Sequence, residues 1–193
     1  MRQTEARRER RRRIALVGTV TVVVLAVIGG LVAIAVSTRR SSSSASGPVA
    51  GVQTFPEERG HTTAKVTYPQ SPPAGGAHSP MWLTCGIYAS PVPNENAVHD
   101  LEHGAVWITY RPDLASAEIS ALQALVREQG GYTTLSPYSG LRTAVTASAW
   151  GAQLNLDSAG DPRLRQFLTR YRQSAQAPEP GATCDGGVGT PSG

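Results

Sequence analysis

His99 and His103 stand four residues apart in Val98-His99-Asp100-Leu101-Glu102-His103-Gly104. On a helix that spacing puts both imidazoles on one face, a turn apart, where two rings can hold one metal ion. His78 offers a third ring from a Pro/Gly-rich stretch, residues 72–81, that can fold over the same face. Neutral imidazoles suit zinc or copper, and Met81, three residues after His78, adds a soft thioether that favours copper. Glu102 reads as a partner that orients an imidazole from behind, or as an acid on the exposed side of the helix. The competing reading is that these histidines only pack and hydrogen-bond, which leaves a non-catalytic interaction or structural domain.

His99-Asp100-Leu101-Glu102-His103 also matches H-x-x-E-H, an order in which two histidines bind zinc and the glutamate acts as base in peptidases. That chemistry needs a further acidic ligand held on a later helix. Glu179 is flanked by Pro178 and Pro180 and cannot be helical, and nothing aims Glu118 or Glu128 at the site. The peptidase reading is therefore disfavoured, and no catalytic residue is assigned. Cys85 and Cys184 are the only cysteines. In an oxidising compartment such a pair is expected to bond, closing a loop of about 100 residues worth up to ~4.7 kcal/mol of chain entropy.

The elements that must position these residues follow from periodicity. Residues 95–103 form a short helix that starts near Asn94 and stops at Gly104, and residues 104–110 a buried strand with an almost unbroken apolar run. Residues 82–88 alternate as a strand does, and residues 113–129 carry Leu114, Ile119, Leu122, Leu125 and Val126 on one helical face. Strands are expected at 143–150 and 153–156, and a helix from Pro162 to about Gln173, capped by Asp161. The class is α+β, a single domain with helices packed on one sheet.

Charge divides the chain in two. The first 40 residues carry nine Arg against two Glu, a net +7, while the remainder is net −3, so the total of +4 resides in a tail. A nucleic-acid-binding domain, whose positive charge belongs on the folded part, is excluded. Residues 14–36 run 23 positions without a charge, enough as a helix for roughly 34 Å against a hydrocarbon core of about 30 Å. Seven Arg precede this run and only Arg39 and Arg40 follow it, which holds the N-terminus in the cytoplasm. The expected layout is a cytoplasmic tail at 1–13 and a transmembrane helix at 14–36 seated in the lipid bilayer. A flexible stalk at 37–51 then leads to an extracytoplasmic domain at 52–185 and a disordered tail at 186–193.

Five separated motifs occur in one order: His78-Ser79-Pro80-Met81-Trp82 through Cys85-Gly86-Ile87-Tyr88, Val98 through Val106, Ser136-Pro137-Tyr138, Ala147 through Gly151, and Pro178 through Cys184. In this combination the chain resembles the bacterial domain-of-unknown-function family 3105, and specifically a membrane-anchored actinobacterial member. The resemblance covers about residues 52–185. It implies one extracytoplasmic domain behind a single span and brings no activity with it.

Overall fold

The computed structural model describes residues 47–192. The expected tail and span at 1–36 and most of the stalk lie outside them. Among the described residues no helix is long and apolar enough to cross a membrane.

The strands are β1 (Val52–Thr54), β2 (Val106–Tyr110), β3 (Thr133–Pro137), β4 (Val145–Ala149) and β5 (Ala152–Leu156). The helices are α1 (Asn94–Glu102), α2 (Ser116–Gln129) and α3 (Pro162–Tyr171). One sheet holds all five strands in the order β1-β5-β4-β2-β3. Every neighbouring pair is antiparallel except β2 and β3, which run parallel with α2 as their crossover.

Alternation along β2 sorts the core. Val106, Ile108 and Tyr110 join Leu122, Leu125 and Val126 of α2 and Leu164, Phe167 and Leu168 of α3. Trp107 belongs instead to the cluster of Ala97, Val98 and Leu101 on α1, and its indole N–H donates to Ser136 Oγ at 3.0 Å. Both faces of β2 are thus covered, which is why its sequence reads as unbroken apolar residues. The α+β class with three helices on one sheet holds.

Helix α1 begins from Pro93 in extended backbone, with no side-chain cap from Asn94. It ends in a Schellman turn: Ala105 N–H donates to Asp100 O at 2.9 Å and Gly104 N–H to Leu101 O at 3.1 Å. Gly104 sits at φ +91°, and a Cβ there would lie 3.0 Å from Gln173 Cα, so glycine is required on both counts. Helix α3 starts as expected, with Asp161 Oδ1 accepting the Arg163 N–H at 2.9 Å and Pro162 in the first turn.

Three expectations need correction. Residues 82–88 are not a regular strand; they make isolated bridges, Leu83 to Val188 and Ile87 to Leu135 of β3. Residues 186–192 are not a free tail, because Val188 N–H donates to Trp82 O at 2.9 Å and Ser192 N–H to Ile87 O at 2.7 Å. The fold also begins earlier than residue 52, since Val49 is buried in the core.

Candidate metal centre

His99, Glu102 and His103 lie on one face of α1 at i, i+3 and i+4, opposite the side that packs on Trp107. The loop that carries His78 docks on this helix. Ser79 N–H donates to Glu95 O at 3.1 Å, and Asn96 Nδ2 donates to Met81 O at 2.6 Å and to Ser79 Oγ at 3.1 Å. A preceding arm is pinned beside the loop: Thr62 N–H donates to His78 O at 2.7 Å and His78 N–H to Gly60 O at 2.9 Å. That arm delivers His61, whose ring centroid is 4.8 Å from that of His78 and 5.0 Å from that of His99.

Backbone carbonyls fix three of the rings. His78 Nδ1 lies 2.8 Å from Gly76 O, His99 Nδ1 2.6 Å from Ser79 O and His103 Nδ1 2.6 Å from Thr183 O. A carbonyl can only accept, so each Nδ1 carries the proton and each neutral ring turns an Nε2 lone pair inward. These lone pairs meet other acceptors. His99 Nε2 is 2.9 Å from His103 Nε2, and His78 Nε2 is 2.9 Å from Glu102 Oε2. Each contact requires either an extra proton or a cation between its partners. Protonating His99 is resisted by burial and by the neighbouring His103 and His78, which together hold its pKa below the usual imidazole value despite the Ser79 carbonyl and Glu102.

Ligand atoms of His61, His78, His99 and Glu102 all lie within 4.8 Å of one another. Two ligands about 2.1 Å from a common ion at right-angled to tetrahedral geometry are about 3.0–3.4 Å apart, close to the His78–Glu102 and His99–His103 contacts at 2.9 Å and the His61–Glu102 contact at 3.5 Å. His103 falls outside that group of four and reaches it only through His99, Nε2 to Nε2 at 2.9 Å. Two indoles wall it: Trp150 meets His78 edge-on at 5.8 Å, and Trp82 lies 6.0 Å from His99 and 5.8 Å from His103.

Met81 is exposed and lines a neighbouring cleft. Glu102 does not stand behind an imidazole. Its carboxylate faces the inward nitrogen of His78, and the carbonyls of Gly76, Ser79 and Thr183 take the orienting role instead. His61 escaped sequence reasoning because it has no helical spacing to another histidine. Only the parallel bridge between His61 and His78 brings it in.

Below the centre, Asp100 is fully buried. Its Oδ1 accepts the Leu83 N–H at 3.0 Å and its Oδ2 the Thr134 hydroxyl at 3.3 Å. Burial raises its carboxyl well above the usual carboxylate range against the pull of those two bonds. Cys85 and Cys184 are joined in a disulfide with Cα atoms 5.4 Å apart. The bridge ties the segment that contains Thr183 to the loop beneath α1.

An α+β domain with a buried histidine and glutamate cluster, closed by one disulfide, defines the class. The model of the family described as protein of unknown function (DUF3105) matches residues 61–186, and the chain belongs to that family. The matched span runs from His61 past Cys184 and so contains every residue of the cluster. No curated protein and no solved structure matches the chain.

Proposed function

We propose that this domain binds one transition-metal ion, zinc or copper, through His78, His99, His103 and Glu102, with His61 on its exposed side. The observation that carries the reading is the set of inward lone pairs: three Nδ1 atoms are committed to carbonyls, so the Nε2 atoms face acceptors at 2.9 Å. A divalent cation at such a contact replaces the missing proton, and the imidazole-rich donor set suits zinc or copper better than calcium or magnesium.

The full chain, stripped with a chelator and titrated with zinc or copper, is expected to take up one equivalent at neutral pH. Uptake must weaken toward acid, because protons compete for the same nitrogens. For the metal-free protein the sign is the same. Burial holds the folded His99 imidazole below the ordinary histidine value of about 6.5, so the unfolded chain binds the proton more readily. Its contribution to stability is present above about 6.5 and is lost as the pH falls through the depressed folded value. Affinity unchanged or rising toward acid contradicts the reading.

We further propose that the domain sits outside the cell membrane, held by a bilayer-spanning helix at 14–36 with the N-terminus in the cytoplasm. The uncharged 23-residue run behind seven Arg supports this. The disulfide suits an oxidising compartment. Protease added to intact spheroplasts should remove the domain and spare the N-terminal tail; a soluble, shortened protein in the medium would show a cleaved segment instead.

A further inference from the structure

Three histidines of the cluster are held rigidly and the fourth is not. His78, His99 and His103 are at most 5% exposed, each with its Nδ1 on a carbonyl. The His61 side chain is 52% exposed, and among the described residues no carbonyl takes a proton from its ring. Its Nε2 stands 3.5 Å from Glu102 Oε2, and its ring lies over that of His99, 11° from parallel at 5.0 Å. The backbone beneath it is fixed by the bridge to His78, and Val66 N–H, farther along the arm, donates to Glu95 Oε1 at 3.0 Å. Rotation of one exposed side chain therefore uncovers the centre while the buried rings stay in place.

Resting on the metal reading above, we infer that His61 occupies the exchange position of the centre, where the ion enters and leaves and where an outside nitrogen or oxygen donor displaces the imidazole. A structural metal site is closed on all sides by fixed ligands, whereas a site that reacts or passes on its ion keeps one position open. Here the open side is the one His61 covers. A cleft of about 500 Å³ is lined by Thr62 and Ser79, the chain neighbours of His61 and His78, and by the exposed Met81, though by no side chain of the cluster itself. The cargo or reactant is thus met at the metal itself, and the domain is a carrier or reactive centre rather than a metal-stapled fold.

The test uses the full chain loaded with Co2+, whose visible absorption reports its ligands, in wild-type and His61→Ala forms. The variant should keep one equivalent and the wild-type melting temperature in the metal-free state. It should show an altered cobalt spectrum and lose the ion to EDTA roughly tenfold faster or more. Added imidazole should restore the variant's spectrum and slow its release, while leaving the wild type unchanged. An identical spectrum and release rate in the variant would show that His61 is not a ligand. Complete loss of cobalt would make His61 an anchoring ligand, and faster release without imidazole rescue would place the effect in the fold. Each of these three results overturns the assignment while metal binding stands. Wild-type protein that takes up no cobalt, zinc or copper removes the metal reading and this inference with it.

Discussion

Changing His103 to alanine should abolish metal uptake and, in the metal-free protein, leave stability unchanged or slightly raised. The first effect follows from removing a nitrogen 2.9 Å from His99 Nε2 in a buried group, and affinity should fall more than about 100-fold, beyond the range for outer-sphere partners. The second follows from the same contact read without metal. Two lone pairs at 2.9 Å repel, so deleting one relieves them, offset by about 1 kcal/mol for the lost bond to Thr183 O. His99→Ala should behave alike, with Ser79 O losing its donor. Melting curves with EDTA and with zinc separate the two readings. A packing histidine costs stability under both conditions, whereas a ligand costs it only when metal is present. Equal destabilisation with and without zinc would decide for packing.

The Cys85→Ala/Cys184→Ala double variant should lose both stability and metal affinity. The bridge spans 99 residues of sequence, for which the chain-entropy model allows up to about 4.7 kcal/mol. The effect on metal is indirect. Thr183, adjacent to Cys184, supplies the carbonyl that holds His103 Nδ1, and Trp82 Nε1 donates to Asp185 O at 3.1 Å on the far side of the bridge. Releasing this segment frees the His103 ring and should cost about 10- to 100-fold in affinity, as loss of an orienting partner does elsewhere. Alanines are used because free thiols would bind metal themselves. Denaturant unfolding and zinc competition on the one variant read both effects, and wild-type affinity would mean that backbone hydrogen bonds alone position His103.

What was legible in the sequence is what local rules govern. Helix α1, its stop at Gly104 and the common face of His99 and His103 follow from spacing and from the left-handed turn that glycine permits. Glu102 shares that face by the same rule, although its contact with His78 depends on the loop. Long-range pairing was less readable. Strand β3 is Thr-Thr-Leu-Ser-Pro, fully buried yet mostly polar, because Thr134 and Ser136 take their partners from Asp100 and Trp107. Residues 82–88 alternate like a strand, but their backbone groups are shared between β3 and the C-terminal segment, which composition alone marks as coil. The bonds of Val188 and Ser192 use groups that every residue carries, so nothing in Gly, Pro, Ser and Thr announces them. His61 belongs with these cases, since its place is set by a bridge to a residue 17 positions away.

X-ray absorption on the zinc-loaded full chain is the most direct measurement of the central claim. The expected spectrum shows nitrogen and oxygen scatterers at about 2.0–2.1 Å, with the outer-shell pattern of at least three imidazoles. A chain that retains no zinc after gel filtration, or zinc surrounded by oxygen scatterers without the imidazole pattern, would contradict it.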